Sequence, residues 1–348
     1  MLENTGRTEI KDLGEVGLID LLTQHIKLNH LTTMKGVGDD AAVLDFTKGK
    51  TLVSTDLLLE GIHFDMMYTP LKHLGYKAVT VNLSDIAAMN ATPTQITVSM
   101  GLSNRFSVEA VEEFYQGVLL ACKKYNIDLV GGDTTSSVNG LVISVTAMGV
   151  QDQKKIVYRK GMKDKDLICV SGDLGAAYLG LQILEREKQI FLENNKIQPD
   201  LGGNDYLLER ILKPEARVDV VSQLEGLKII PSSMIDISDG LASEVQHLCR
   251  ESKVGAVIYE EKLPIDHTVI SKAMEFNLDP TICAINGGED YELLFSISQA
   301  DYKKIENHPD ITIIGYATDA SEGVNLVTKA GNSHPLKGIG WDSFKNED

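Results

Sequence analysis

Gly36-Val37-Gly38-Asp39-Asp40-Ala41-Ala42 is the stretch around which the chain is organised. Its glycines free the backbone, two adjacent carboxylates follow, and small and apolar residues then open a strand over residues 41–46. A second strand, over residues 51–55, passes through Ser54 and Thr55 and ends at Asp56. Asp85, Asp133, Asp236 and Asp239 recur in similar settings, flanking strands or beside Gly, Ser and Thr. A single such Asp is explained as a turn or cap residue. Their recurrence points to carboxylates that converge on divalent metal, with the metal holding a nucleotide triphosphate.

Two nucleotide motifs come close and fail. Residues 36–41 fit the loose G-x-G-x-x-A form, but that fingerprint needs a helix at once, with free N–H groups for a pyrophosphate. Here a strand follows, and two carboxylates would repel the ligand. Gly49-Lys50-Thr51 resembles the end of a P-loop, yet Leu44 stands where that motif needs Gly. There is no H-E-x-x-H, G-x-S-x-G or EF-hand loop.

With 348 residues and 43% hydrophobic content the chain can form two α/β domains, each with a core. Its 33 Lys+Arg against 50 Asp+Glu leave a formal net charge of -17. Nucleic acid and anionic membranes are thereby excluded as partners held by bulk electrostatics. An anionic ligand would need metal ions or a few well-placed basic residues. Cys122, Cys169, Cys249 and Cys283 have no C-x-x-C spacing and apolar neighbourhoods, which predicts buried free thiols in a reducing compartment. No signal peptide and no apolar run of about 20 residues is present, so a cytoplasmic soluble protein is expected.

Leu74, Ala78 and Val81 give residues 71–90 a helical stripe, and Asp85 lies on it. A carboxylate on a buried face needs a cation partner. A strand is predicted over 94–102, then a helix capped by Ser107, then a short strand over 127–130 that stops at Gly131-Gly132-Asp133-Thr134-Thr135, then a strand over 141–150. That order suggests one mixed sheet covered by helices, in a first domain over 1–152 and a second over 153–348. The polar, basic residues 151–165 connect them. In the second half, a strand over 166–170, the turn Ser171-Gly172-Asp173-Leu174-Gly175 and a helix over 176–186 form a weak anion-site pattern. Residues 188–206 read as loop, and Pro214 as the opening of a helix through Leu224. Strands follow over 234–237, 255–259, 292–297 and 311–316.

Seven segments, in order and spanning nearly the whole chain, resemble the thiamine-monophosphate kinase family, within the superfamily of aminoimidazole ribonucleotide synthetase and selenophosphate synthetase. They are the glycine-aspartate stretch, Ser54-Thr55-Asp56, Gly61-Ile62-His63-Phe64, the run from Val81 to Met89 containing Asn82-Leu83-Ser84-Asp85, Gly131 to Thr135, Ile235 to Leu241 and Gly287-Gly288-Glu289-Asp290-Tyr291-Glu292-Leu293. The resemblance implies an α/β (α+β) fold of two domains similar to aminoimidazole ribonucleotide synthetase. The N-terminal sheet would contribute to a barrel shared by a homodimer, and the C-terminal α/β domain would close the active site. The implied activity is direct transfer of the ATP γ-phosphoryl group to thiamine monophosphate, giving thiamine diphosphate and ADP. Asp40, Ser54, Thr55, Asp56, Asp85, Asp133, Asp236 and Asp239 would line several Mg²⁺ ions. Gly132, Asp133, Arg159 and Ser238 would contact ATP, and His63, Glu289 and Trp341 the thiamine end. The segment from Glu187 to Gly203 matches no motif of the family.

Physical chemistry supports most of these roles. Phosphoryl transfer asks for alignment and charge stabilisation rather than covalent catalysis, and the acceptor phosphate is already ionised, so no strong general base is required. Arg159 can hold phosphate oxygens bidentately, and Trp341 can stack on a flat cation. The bland readings are a core plug for Trp341, a loop histidine for His63 and a solvated charge for Arg159. Selenophosphate synthetase would want a reactive Cys in an N-terminal glycine-rich loop, and no Cys precedes Cys122. The cyclo-ligase of purine synthesis is disfavoured by the contexts of Asp85 and Glu289. A non-catalytic nucleotide-binding protein would have lost motif Asp residues, and none is lost.

Overall fold

The computed structural model describes residue 8 and residues 10–37, 42–46 and 49–338. Asp40 and Trp341 lie outside the described residues. Two compact units are present, Met1–Ile86 with Ala91–Lys154, and Ala87–Asn90 with Lys155–Asp348.

In the first unit, helix α1 (Ile10–Thr23) precedes the short antiparallel pair β1 (Thr33–Lys35) and β2 (Val43–Leu44). The glycine-aspartate stretch joins these two strands. Then come β3 (Lys50–Leu59), α2 (Leu71–Ala88), β4 (Thr92–Leu102), α3 (Val108–Tyr125), β5 (Asp128–Ser136) and β6 (Val142–Gln151). The sheet runs β3-β6-β4-β5, with β4 and β5 parallel and the other pairs antiparallel. Period-two burial orients it: Ile143, Val145 and Ala147 of β6 are buried, and Ser144, Thr146 and Met148 between them are not. Ser107 caps α3 by accepting from the Ala110 N–H at 3.3 Å, and left-handed Asn126 ends it.

Helices α2 and α3 cross with their backbones nearly touching. A Cβ on Gly117 would sit 1.9 Å from the Lys72 carbonyl oxygen, and one on Gly75 2.0 Å from that of Phe114. No larger residue fits either place. The chain before β1 is fastened by a residue that the sequence did not flag. Buried Asp128, at the start of β5, accepts from the His30 N–H at 3.0 Å and the Thr33 hydroxyl at 2.6 Å.

The second unit contains β7 (Leu167–Ser171), α4 (Ala176–Glu193), α5 (Asp205–Leu212), α6 (Val218–Gly226), β8 (Ser233–Asp236), α7 (Leu241–Ser252), β9 (Gly255–Tyr259), α8 (His267–Glu275), α9 (Pro280–Asn286), β10 (Leu293–Ile297), β11 (Ile311–Thr318), β12 (Val324–Val327) and β13 (Ser333–Pro335). Its sheet runs β13-β12-β9-β11-β7-β10-β8. Both faces are covered, so its central strands are apolar on both sides. Leu294, Val170 and Ile235 pack with Leu241, Val245 and Leu248 of α7. Leu293, Phe295 and Cys169 pack the other way, with Val220, Val221 and Leu224 of α6.

Several expectations need correction. The strand at Asp56 runs on to Leu59, which places Asp56 within the strand rather than at its end. The strand at Ile127 does not stop at Gly131; β5 continues through Asp133 to Ser136, paired with β4. A Cβ on Gly132 would lie 1.9 Å from the Val98 carbonyl oxygen, so this glycine admits close strand pairing and does not start a loop. Helix α4 extends to Glu193, and the following polar segment folds back on it, with the Asp200 N–H donating to buried Glu187 at 2.8 Å. Helix α6 begins at Val218, not at Pro214. Cys122, Cys169, Cys249 and Cys283 are buried and free, as expected. Among the described residues no helix is long and apolar enough to cross a membrane.

Gly117→Ala is expected to destabilise the protein by about 1–3 kcal/mol through overpacking. Thermal unfolding followed by circular dichroism checks it, and an unchanged melting temperature would contradict the α2–α3 contact.

Candidate active site

Strand alternation decides which predicted residues meet. Ser54 and Asp56 lie on the same face of β3, where the Ser54 hydroxyl donates to Oδ2 of Asp85 on α2. The Asp56 N–H donates to Oδ1 of buried Asn82 at 3.0 Å, and the Asn82 amide donates to the Ala78 carbonyl at 3.0 Å. Burial first, and the Asp85 charge second, raise Asp56 from its ordinary 3.8 to about 6. Thr55 points to the opposite face, where the Thr146 hydroxyl donates to its own at 3.0 Å. Its hydroxyl therefore stands apart from the Ser54–Asp56–Asp85 group.

Asp133 also stands apart within this unit. Across the sheet Asp56 is paired with Val145, Val145 with Val98, and Val98 with Gly132. Three strand spacings separate Asp56 from Gly132, about 14 Å. Asp133 is exposed on the far edge strand. His63 is exposed in the turn after β3, where its Nδ1 accepts from the Leu59 N–H at 3.0 Å.

The second unit gathers its own carboxylates. Asp236 ends β8, and Ser238 and Asp239 fill the turn into α7. The segment from Gly288 to Glu292 is laced to that turn: the Glu289 N–H donates to the Ser238 carbonyl at 2.7 Å, the Tyr291 N–H to that of Ile237 at 2.9 Å, and the Ile237 N–H to that of Glu292 at 2.8 Å. This lacing forces Gly288, Glu289 and Tyr291 into left-handed backbone, with φ of 70°, 59° and 51°. For the two non-glycine residues that conformation costs roughly 1–2 kcal/mol each. The Tyr291 hydroxyl donates to Oε1 of Glu289 at 3.1 Å.

Glu244 and His247 of α7 belong to this group, and the sequence reading passed over both. Glu244 accepts from the Asp239 N–H at 3.4 Å. Burial, then the Asp236 and Asp239 charges, raise its carboxyl to about 8. Burial also raises Asp239, with the Glu289 charge adding to it and the charges of His247 and Arg159 opposing. Burial, then Arg250 and Arg159, lower the His247 imidazole. Arg159 thus supplies a positive charge to the carboxylate group. The available signal was an acidic residue on an apolar stripe, since Glu244 sits among Leu241, Val245 and Leu248, as Asp85 sits on that of α2.

The anion pattern at the start of α4 resolves otherwise. The Gly175 N–H donates to Oδ2 of buried Asp290 at 3.0 Å, so the chain's own carboxylate takes that place.

Among the described residues no group of three or more His, Cys, Asp and Glu side chains is arranged to hold a metal ion by itself. Mg²⁺ usually takes only one or two carboxylates and completes its shell with water and phosphate oxygens. Hard oxygen donors, two adjoining carboxylates and raised carboxyl groups fit that mode in each unit.

The family described as AIR synthase related protein, N-terminal domain, matches residues 38–151. The thiamine-monophosphate kinase of Buchnera aphidicola subsp. Schizaphis graminum is 39% identical, over 84% of this chain and 88% of that protein. That of Aquifex aeolicus is 36% identical, over 96% of this chain and 99% of that protein. A solved structure described as AaThiL complexed with AMPPCP and TMP superimposes with a TM-score of 0.75 at 32% identity, covering 97% of this chain and 100% of that one.

Because the folded Asp56 value of about 6 exceeds its ordinary 3.8, this side chain's contribution to stability is complete below pH 3.8 and is lost as pH rises through 6. In metal-free protein, Asp56→Asn is therefore expected to be more stable than the parent at pH 8, by on the order of 2 kcal/mol after discount for the part still in water. The advantage should shrink toward pH 4. Denaturant midpoints at both pH values test this, and a pH-independent difference would contradict it.

Proposed function

The chain belongs to the thiamine-monophosphate kinase family, and we propose that it transfers the γ-phosphoryl group of ATP directly onto the phosphate of thiamine monophosphate, giving thiamine diphosphate and ADP. The observation that carries this is the crowding of buried carboxylates in each unit, which raises Asp56 and Glu244, on a chain that matches such kinases over nearly its full length. The complex of a relative with an ATP analogue and TMP supports ATP and thiamine monophosphate as the two ligands.

Ser54, Asp56 and Asp85 in the first unit, and Asp236 and Asp239 in the second, are proposed to hold Mg²⁺. Bound Mg²⁺ would offset triphosphate charge that the acidic chain otherwise repels. Asp40, Thr55 and Asp133 stay in the proposed set. The Thr55 hydroxyl lies on the opposite face of β3 from Ser54 and Asp56. Arg159 and Ser238 are proposed nucleotide contacts, together with Gly132 and Asp133. A guanidinium near Asp239 can bind phosphate oxygens without opposing the carboxylates.

Glu289 is proposed to meet the thiamine end, where a carboxylate can accept from an aminopyrimidine or offset a thiazolium charge. The ordered turn fixes its backbone and Tyr291 its carboxylate, so it needs little reordering on binding. His63, exposed in the turn after β3, is proposed as a second contact there. Trp341 is proposed as a further contact there; before it in the chain, a Cβ on Gly338 would lie 3.1 Å from Ser243 in the first turn of α7. The Leu336 carbonyl is held there by the Gln246 amide at 2.6 Å. A homodimer is proposed as well, supported by exposed Val53 and Leu57 on edge strand β3.

Purified protein with Mg-ATP should release ADP only when thiamine monophosphate is present, and chromatography should show thiamine diphosphate. Stabilisation by Mg-ATP without thiamine-dependent ADP would move the function to another acceptor or to nucleotide binding alone. Asp56→Asn and Asp239→Asn should each abolish turnover in folded protein, and full activity in both would overturn the metal reading. Glu289→Gln should raise KM for thiamine monophosphate more than KM for ATP, and an effect on ATP alone would remove it from the substrate site.

A further inference from the structure

Behind the Glu289 turn lies a buried ion cluster that the reaction above does not use. Asp290 and Glu292 alternate with Glu289 and Tyr291 and are both 1% exposed. Arg210 of α5 reaches them from behind. Its Nη1 donates to Oε1 of Glu292 at 2.9 Å, and its Nη2 to the carbonyls of Asp173 at 3.0 Å and Asp290 at 3.3 Å. The same Nη2 lies 3.8 Å from Oδ1 of Asp290. The other Glu292 oxygen accepts from Arg217 and from the Ser171 hydroxyl, the latter at 2.6 Å.

Left-handed backbone at Glu289 and Tyr291 persists only where the surroundings over-determine it. On one side the turn is held by its bonds to Ile237 and Ser238. On the other, beside the Arg217 and Ser171 bonds to Glu292 and the Gly175 bond to Asp290, the Arg210 guanidinium bonds both a main-chain oxygen inside the turn and the carboxylate that follows it. Its planar fork makes both bonds together, which a lysine ammonium on a flexible stem cannot reproduce.

We propose that Arg210 is a positioning residue for thiamine monophosphate: by clamping the Asp290 carbonyl and the Glu292 carboxylate together, it fixes where the Glu289 carboxylate points. The inference rests on Glu289 as a substrate contact. A cluster that served the fold alone would change melting temperature and the active fraction, and leave KM values in the folded enzyme untouched.

Steady-state kinetics of the full-length enzyme with Mg-ATP test it, well below the melting temperature of each variant. Arg210→Lys, which keeps the charge, is expected to raise KM for thiamine monophosphate about tenfold, with KM for ATP unchanged. Should that variant fail to fold, Glu292→Gln takes its place, keeping an acceptor for Nη1 and carrying the same expectation. Tyr206→Phe removes a bond to Asp173 in the same cluster without touching the turn, and is expected to lower the melting temperature with both KM values unchanged. The inference is overturned if Arg210→Lys and Glu292→Gln leave KM for thiamine monophosphate unchanged while Glu289→Ala raises it. If Glu289→Ala leaves it unchanged, the reading of Glu289 falls and the inference falls with it.

Discussion

Like charges pressed together away from water are the constraint on which this molecule turns. A carboxylate that loses hydration needs hydrogen bonds, a cation or a proton. Beside Asp85, Asp56 moves toward the proton, and Glu244 does so beside Asp236 and Asp239. Neither group lowers stability gratuitously if its unfavourable energy is relieved by a ligand. Both lie on elements held rigidly by other means: β3 by a ten-residue ladder with β6, and α7 by its apolar face in the core.

Period-two alternation then does much of the sorting. It sets Ser54 and Asp56 toward Asp85 and turns Thr55 to the opposite face. In the second unit the left-handed backbone at Glu289 and Tyr291 does the sorting instead, burying Asp290, Tyr291 and Glu292 and leaving Glu289 half-buried. The β5 extension is again a matter of strand geometry. Once Gly132 lets Val98 approach, the strand carries Asp133 along the sheet edge, away from Asp56.

Local signals were legible where chemistry is local. The Ser107 cap, the α3 stripe, the buried cysteines and the Asp85 position on its helix could all be read from short windows. What escaped the reading depends on partners distant in sequence. Gly131-Gly132 looks like a loop until Val98 is beside it. Glu244 is an ordinary helix residue until Asp236 and Asp239 are folded against it. Asp128 looks like a strand-start residue until residues 30–33 close on it. Pro214 can open a helix by propensity, but helix α6 starts only at Val218, after Arg217 has turned its guanidinium toward Glu292. Asp290 and Glu292 carried no sign of Arg210, 80 and 82 residues earlier.

The second unit meets the like-charge problem in two ways within one small region. Asp290 accepts from the Gly175 N–H and is still raised to about 7 by burial, while Glu292 is matched by Arg210 and Arg217, guanidinium groups built into the fold. Such pairing is permanent, and breaking it leaves buried charge behind. Asp239 and Glu244 have Arg159 nearby, and burial with the Asp236 and Asp239 charges raises Glu244 to about 8. A carboxylate neutralised by its own chain cannot exchange its partner during a catalytic cycle. One left short of cation can take it with the nucleotide and release it with the product. On the proposed reading, binding the phosphate donor and relieving the crowded carboxylates are one event, coupled by the cations that accompany the nucleotide.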